Sequence, residues 1–389
     1  MRIAIVSDYF LDYVGGAQSS IHEQKESLAE AGHEVFLIAH TRRGSGPVDL
    51  AVSPAFTVPG VQLAVSFNRP RLVAQLVAFL DEHAIDVVHL QTEFGLAHAA
   101  IAAARQRGIP VVHTVHTFYW QSAGFGPTVV APVMRRMLQS ATGARFAVQN
   151  ITGRPSDDLL RTLTAETAKL VDLVISPSEH QGADLKAAGV STPLVIVPNP
   201  IARSPRPAAL LANDAVPRFL WVARCEPEKR PLVFAEAALQ ALSHASFEVD
   251  FVGEGSQLDE LRALTAGSPG IRVHGNLDHD AVLALIDDSS MVVLTSNGFD
   301  NQPMTIAESV SRYRGVLFCD PKLREGLGRS GYLSADPSAS ALADALVALT
   351  SEAGALQELS RGAREDAVIF SAATYVERVM AAYAQAARA

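Results

Sequence analysis

Residues 219–231 read Phe219-Leu220-Trp221-Val222-Ala223-Arg224-Cys225-Glu226-Pro227-Glu228-Lys229-Arg230-Pro231. Phe219–Val222 is a short apolar run of the kind that forms a buried strand, a polar loop follows, and Pro231 opens a helix. This stretch decides the fold because it restarts, in mid-chain, a grammar that has already run once. Upstream, Ile3–Val6 reads as a strand, about Gly16 to Ala31 as a helix ended by Gly32, and Glu34–Ala39 as the next strand. Val87–Leu90 and Val111–Val115 are strands separated by an Ala-rich helix near Leu96–Arg107 that stops at Gly108, and Leu173–Ser176 and Leu194–Val197 complete the half. Downstream of Pro231 come the strands Glu248–Val252, Ile271–His274 and Met291–Thr295, a helix from about Pro303, and the strand Val316–Cys319. Short β-rich runs alternating with helices specify parallel α/β sheets.

Between the halves lie Pro198, Pro200, Pro205, Pro207 and Pro217, which cannot sit inside helices or central strands. They mark a linker, so the expected domains are 1–200 and 201–372. A last helix, 373–389, carries Tyr375, Val376, Val379, Met380 and Tyr383 on one stripe and is expected to pack back toward the first domain. A chain of 389 residues is long enough for two cores. With 48% hydrophobic and 19% charged residues, disorder is excluded. The net charge of −9 argues against a nucleic-acid coat protein. The charge is uneven, however: no Asp or Glu occurs between Glu93 and Asp157, while Arg105, Arg107, Arg135, Arg136, Arg145 and Arg154 fall there. Two cysteines, Cys225 and Cys319, are too few for a disulfide framework. The apolar run after Met1-Arg2 is too short for a secretory segment, and no window reaches the ~20 apolar residues of a membrane span. A cytoplasmic protein, free or peripheral at the inner face of the membrane, is expected.

Three motifs carry chemistry. Gly15-Gly16 follows the first strand and opens the first helix, which reads either as a tight turn or as a place where backbone approaches an anion. Its spacing is not the GxGxxG of a nicotinamide dinucleotide site. Arg224 and Lys229 flank the loop quoted above; they are either solvated beside Glu226 and Glu228 or placed to neutralise a diphosphate. In Asp300-Asn301-Gln302-Pro303-Met304-Thr305-Ile306-Ala307-Glu308, Pro303 suits the first turn of a helix, Asp300 stands before it and Glu308 about two turns in. Carboxylates suit sugar hydroxyls and a helix N-terminus suits phosphate; an acidic cap and a buried-edge Glu are the structural alternatives.

On these residues the chain resembles a retaining, nucleotide-sugar-dependent glycosyltransferase of the GT-B fold, in glycosyltransferase family 4. The spacing from Asp300 to Glu308 matches that family's signature. Gly15-Gly16, Arg224 with Lys229, Gly253-Glu254-Gly255 and Asn199 fall in the family's order. The resemblance implies an α/β GT-B protein, two Rossmann-like domains facing a central cleft, the first binding the acceptor and the second the nucleotide sugar. It implies that Glu308 binds the ribose hydroxyls and that Asp300 contacts the transferred sugar near the backbone of Asn301, Gln302 and Met304. It implies that Arg224 and Lys229 hold the pyrophosphate, that Gly15, Gly16 and Gly253 border the donor, and that His116 contacts the sugar near the reacting carbon. A buried core histidine is the alternative for His116. The family more often has Glu at the place of Asp300 and Gly at that of Pro303, and Ser309–Gly315 departs from its small-residue turn. No Asp-x-Asp is found after a strand, so a metal-bound diphosphate is not indicated. The expectation is therefore no metal and no cofactor, with a UDP-sugar or GDP-sugar as substrate.

Acceptor clues lie in the first half. Gln91-Thr92-Glu93-Phe94-Gly95 and His113-Thr114-Val115-His116-Thr117-Phe118-Tyr119 are similar to bacterial transferases that glucosylate diacylglycerol, and more broadly to those that mannosylate phosphatidylinositol. Glu93 and Tyr119 become acceptor-side candidates. Residues 129–146 mix apolar side chains with Arg135, Arg136 and Arg145, which suits either a helix in an anionic membrane interface or one packed on its own domain. Polysaccharide or small-molecule acceptors fit the donor motifs equally, and a non-catalytic two-lobed nucleotide-sugar-binding protein is the alternative of another class.

Overall fold

The computed structural model describes residues 1–11, 15–41, 48–58, 63–117, 131–201, 209–212, 216–298 and 300–389. The chain divides into two compact units, Met1–Ala202 with Ala372–Ala389, and Arg203–Ser371. Each is a Rossmann-like α/β domain built on a parallel sheet.

In unit 1 the strands are β1 (Arg2–Phe10), β2 (Glu34–His40), β3 (Leu50–Val52), β4 (Phe56–Val58), β5 (Leu63–Val65), β6 (Val87–Leu90), β7 (Val111–Thr114), β8 (Leu173–Ser176) and β9 (Leu194–Ile196). The parallel path runs β3-β2-β1-β6-β7-β8-β9, and the hairpin β4–β5 joins β1 antiparallel. The helices are α1 (Gly16–Glu30), α2 (Pro70–Glu82), α3 (Gly95–Arg107), α4 (Ala131–Thr142), α5 (Pro155–Ala168) and α6 (Glu179–Ala187). The inner strands read as continuous apolar runs because both sheet faces are covered. On one face, Val6, Val88 and Leu90 pack with Leu76, Leu80, Leu96 and Ala100 of α2 and α3. On the other, Ile3, Ile5 and Val87 pack with Ile21 and Leu28 of α1 and with Tyr375, Val379 and Tyr383 of the C-terminal helix Ala372–Ala386. Gly108 ends α3 at φ 65°, the left-handed conformation that a side chain resists.

Unit 2 holds β10 (Arg218–Val222), β11 (Glu248–Val252), β12 (Ile271–Gly275), β13 (Met291–Leu294), β14 (Gly315–Phe318) and β15 (Gly331–Leu333), ordered β12-β11-β10-β13-β14-β15 and all parallel. Its helices are α7 (Pro231–Leu242), α8 (Leu258–Thr265), α9 (His279–Asp288), α10 (Met304–Ser311), α11 (Ala339–Ser351) and α12 (Ala355–Asp366). Trp221, Phe234, Phe251, Leu317 and Leu346 form the larger core, and Leu220, Val252, Ile286 and Val292 fill the opposite face. Pro198, Pro200 and Pro217 lie outside regular elements, while Pro205 and Pro207 fall outside the described residues. Both cysteines are buried free thiols, raised to about 11 by burial and so protonated at neutral pH. Among the described residues no single helix is long and apolar enough to cross a membrane.

Candidate active site

In an open parallel sheet, the crevice for a ligand lies at the carboxyl ends of the two neighbouring strands whose connections leave in opposite directions. In unit 2 those strands are β10, which leads to β11 and β12, and β13, which leads to β14 and β15. The loop after β10 carries Arg224 and Lys229, and the loop after β13 carries Asp300. Tertiary geometry therefore joins Lys229 and Asp300, 71 positions apart. Lys229 Nζ donates to Asp300 Oδ1 at 2.5 Å, both side chains being largely buried. Asp300 Oδ2 is buried without a hydrogen-bond partner among the described residues.

Lys229 is held from below. Trp221 Nε1 donates to Thr295 Oγ1 (2.9 Å), and that hydroxyl donates to the Lys229 carbonyl (2.6 Å). The short 3-10 turn Pro227–Lys229 is followed by Arg230 at φ 57°, pinned there because its guanidinium donates to the carbonyls of Thr295 and Pro337. Arg224 is the most exposed of the set; its Nη2 donates to Glu228 Oε1 at 2.8 Å. Glu226 faces elsewhere. It accepts from the Ser256 hydroxyl (2.6 Å) and backbone N–H (3.1 Å), and the hydroxyl bond chiefly holds its pKa below the usual range.

Gly253 has φ 139°, and a Cβ there would stand 1.8 Å from the Ala223 carbonyl oxygen; one on Gly255 would stand 2.4 Å from that of Cys225. These glycines let the loop after β11 lie flat on the loop that carries Arg224. Cys225 N–H donates to Glu254 O (2.8 Å) and Gln257 N–H to Cys225 O (2.9 Å). Gly253 is thus fixed by loop-to-loop packing, a requirement stronger than ligand access alone.

The helix α10 starts at Met304, with Pro303 in the capping position just before it rather than inside the first turn. Pro303 keeps an extended ψ of 130°, so its carbonyl closes the turn by accepting from Ile306 N–H (3.0 Å). Asn301, Gln302 and Met304 have buried side chains around this N-terminus. Glu308, in the second turn, is mostly buried and lies 3.0 Å from His279 Nε2 at the start of α9. An Asp-x-Asp does follow a strand: Asp278-His279-Asp280 comes after β12, which corrects the sequence reading. Asp278 is a helix cap there, accepting from Ala281 N–H at 2.8 Å. The unusual stretch Ser309–Gly315 also has a structural account. Arg312 is buried and ion-paired with Asp287, Tyr313 turns at φ 58°, and Arg314 donates to the carbonyls of Ser289, Ala209 and Asp287.

In unit 1 the corresponding strands are β1 and β6. Gly15 caps α1 with extended backbone, and a Cβ on Gly16 would meet nothing within 4 Å among the described residues, so packing does not demand this glycine. His116 follows β7, and its Nε2 is 2.5 Å from Gln91 Oε1, just past β6. Burial pushes His116 down to about 4, so the imidazole is neutral at neutral pH. His89 and His113, buried beneath it, are both lowered to about 3, first by desolvation and then by neighbouring histidines. Glu93 is buried rather than open to a ligand: Thr164 Oγ1 of α5 donates to its Oε1 at 3.0 Å. Tyr119 lies outside the described residues.

Within the arginine-bearing segment, Ala131–Thr142 forms α4, while Val129 and Val130 lie outside the described residues. Met134 and Leu138 pack with Phe94, Phe146 and Leu159, Leu160 and Leu163 of α5. Arg135 and Arg136 face solvent with Val133, beside a cavity of about 450 Å³ between α4 and α5. Sequence reasoning placed Tyr375 on an apolar stripe and gave no site role to Gln91, Gln24 or Tyr375, which are linked beneath His116. The only signal was the place of Gln91 at the head of the Gln91–Gly95 stretch.

Comparisons with known proteins agree with this architecture. The sequence model described as Glycosyltransferase Family 4 matches residues 14–204, and that described as Glycosyl transferases group 1 matches residues 216–352. The chain belongs to the glycosyltransferases of this GT-B type. It is similar to an alpha-monoglucosyldiacylglycerol synthase of Acholeplasma laidlawii, 32% identical over 31% of this chain and 30% of that enzyme, so the match spans less than a third of the relative. A glycogen synthase of Mycobacterium tuberculosis is 26% identical over 94% of this chain and 90% of its own length. Among solved structures, a glycosyltransferase from Rickettsia africae superposes with a TM-score of 0.67 at 15% identity, covering 99% of this chain and 98% of that one, a likeness of fold.

Proposed function

We propose that this protein is a retaining hexosyltransferase that moves a sugar from a nucleotide-diphosphate donor to a hydroxyl acceptor without a metal. The observation that carries the reading is the Lys229–Asp300 contact across the carboxyl ends of β10 and β13, with Arg224 in the same loop. Arg224 and Lys229 take the diphosphate, Glu308 the ribose hydroxyls, and Asp300 the sugar hydroxyls, beside the backbone of Asn301, Gln302 and Met304. Gly253 shapes the donor loop, Gly15 and Gly16 admit the phosphates or acceptor, and His116 contacts the sugar near its reacting carbon.

The bond from the anomeric carbon to the diphosphate oxygen loosens into an oxocarbenium-like state. The acceptor hydroxyl attacks from the same face and its proton passes to the departing phosphate oxygen. Such a route asks for positive charge on the leaving group more than for a protein nucleophile. Arg224, Lys229 and the amide end of α10 supply it. Exclusion of water from the site limits hydrolysis.

For the acceptor, residues 91–119 and the local likeness to the Acholeplasma enzyme favour a diacylglycerol-type lipid. Peripheral contact with an anionic membrane would then use the exposed Arg135, Arg136 and Val133 of α4, since Met134 and Leu138 are packed inside unit 1. A glucan acceptor is the second reading, favoured by a match to glycogen synthase that runs along 94% of the chain.

The test is mass spectrometry of products from purified protein given mixed UDP-, GDP- and ADP-sugars, with a total lipid extract in one arm and oligoglucans in the other. A hexosylated lipid supports the first acceptor and an extended glucan the second. Turnover with neither, together with no thermal shift by any donor, overturns the assignment.

A further inference from the structure

A chain of neutral polar groups runs beneath His116, and every link has a direction. Tyr375, on the C-terminal helix, donates its hydroxyl to Gln24 Oε1 at 2.9 Å. Burial, and next Tyr383, push the Tyr375 pKa far up, so the phenol keeps its proton. The same Gln24 oxygen accepts from Gln91 Nε2 at 3.0 Å. The Gln24 amide nitrogen is turned the other way and donates to Ser20 Oγ (2.9 Å), whose hydroxyl donates to Asn199 Oδ1 (2.6 Å). Gln24, Ser20 and Gln91 are all buried, where an amide that faced like with like would forfeit about 1–3 kcal/mol.

With its nitrogen committed to Gln24, Gln91 can offer only its oxygen to His116. At 2.5 Å, His116 Nε2 must therefore carry the hydrogen, and in the neutral ring Nδ1 then carries the lone pair. The backbone leading into His116 is fixed as well. Val115 N–H donates to Ile175 O (3.0 Å), and Val115 O accepts from Gln181 Nε2 (2.8 Å). The imidazole is thus set in place by its own segment and set in proton state by Gln91.

We propose that Gln91 is a positioning residue that fixes His116 as the Nε2–H tautomer, and that Gln24 and Tyr375 fix the orientation of Gln91. Through this chain a helix near the C-terminus governs a residue just past β7. The proton placement stands on its own; its consequence for sugar transfer rests on the role given above to His116. That consequence is specific. The one ring proton of His116 faces Gln91, so His116 is not set up as an acid toward a ligand hydroxyl.

The experiment is two-bond ¹H–¹⁵N correlation spectroscopy of histidine side chains at pH 7.5, with His116 assigned from the spectrum of His116→Gln. Wild type is expected to show His116 in the Nε2–H pattern alone. In Gln91→Leu, which removes the acceptor, that single pattern is expected to be lost. In Gln24→Leu, which removes the acceptor of the Gln91 amide nitrogen, both tautomers are expected, because Gln91 is then free to turn over. Circular dichroism shows which variants fold, and either variant alone decides the matter. A Nδ1–H pattern in wild type, or a Nε2–H pattern unchanged in a folded variant, overturns the positioning. Turnover separates the two claims. A tautomer that shifts while kcat and KM both hold leaves the positioning intact and removes His116 from the transfer step.

Discussion

Lys229 and Asp300 are each other's partners: the ammonium sits 2.5 Å from one carboxylate oxygen, bridging the loops after β10 and β13. A diphosphate that recruits Lys229 must compete with Asp300 for it, and the carboxylate is then released toward the sugar. Neutralising Asp300 removes the competitor and also the sugar contact proposed for it. Asp300→Asn is expected to bind the free nucleoside diphosphate more tightly than wild type while kcat falls. Calorimetric titration with UDP and GDP beside steady-state rates checks this; weaker diphosphate binding in the variant would contradict it.

Removing the cation instead leaves a largely buried carboxylate unpaired, with Asp300 Oδ2 already lacking a partner among the described residues. Lys229→Ala is expected to cost roughly 1–3 kcal/mol of stability. Adding Asp300→Asn to that variant should recover part of the loss, because the orphaned charge disappears. Thermal unfolding of the two singles and the double measures the coupling. Strict additivity would show that the pair is energetically idle.

Arg224 is exposed and its carboxylate partner lies one helical turn along the same loop, so it contributes little to folding. Arg224→Ala is expected to keep its melting temperature and lose kcat, by several kcal/mol in barrier if the guanidinium acts as charge develops on the leaving group. An unchanged kcat removes Arg224 from the mechanism.

Gly253→Ala places a methyl 1.8 Å from the Ala223 oxygen on a backbone at φ 139°. The loops after β10 and β11 must then separate, breaking the Cys225–Glu254 bond. The expected result is a loss above about 2 kcal/mol and lower activity together, in contrast to Arg224→Ala. Thermal melts of the two variants side by side make the comparison, and an unperturbed Gly253→Ala melt would refute the packing argument.

Acid should loosen the fold before carboxylates titrate. His89 and His113 are lowered to about 3, and His98 and His116 to about 4, all chiefly by burial. Below about 6.5 an unfolded chain binds protons that the native histidines refuse, so stability falls as pH drops from 6.5 toward 4. The slope is up to ~1.4 kcal/mol per pH unit for each histidine. Asp8, whose pKa burial raises, acts in the opposite sense once pH exceeds the ordinary carboxylate range. Melting temperatures between pH 7.5 and 5 test the sign, and a flat profile contradicts it.

Much of the architecture could be read from the chain alone, because parallel strands covered on both faces are predominantly apolar. Val87–Leu90, Leu173–Ser176 and Glu248–Val252 have the same bounds in sequence and structure. Gly32 and Gly108 ended helices for a local reason, a left-handed turn that glycine tolerates. The order of Arg224, Lys229, Asp300 and Glu308 was likewise visible, since strand–loop–helix grammar puts such loops at the carboxyl edge of the sheet.

What the order of residues left open was which groups touch. Strand permutation, with β10 beside β13, is what brings Lys229 to Asp300, and no local propensity encodes it. The apolar residues of 129–146 were compatible with a membrane or with protein; in the structure Met134 and Leu138 pack against Leu159 and Leu163 of α5, while Val133 is exposed. Gln24, Gln91 and Tyr375 are three ordinary residues spread over most of the chain, and hydrogen-bond direction acquires meaning only when folding buries them side by side. Sequence determined the elements and the types of charge at their ends, through burial and backbone sterics. Tertiary structure alone decided the pairings, because those depend on distances that only packing sets.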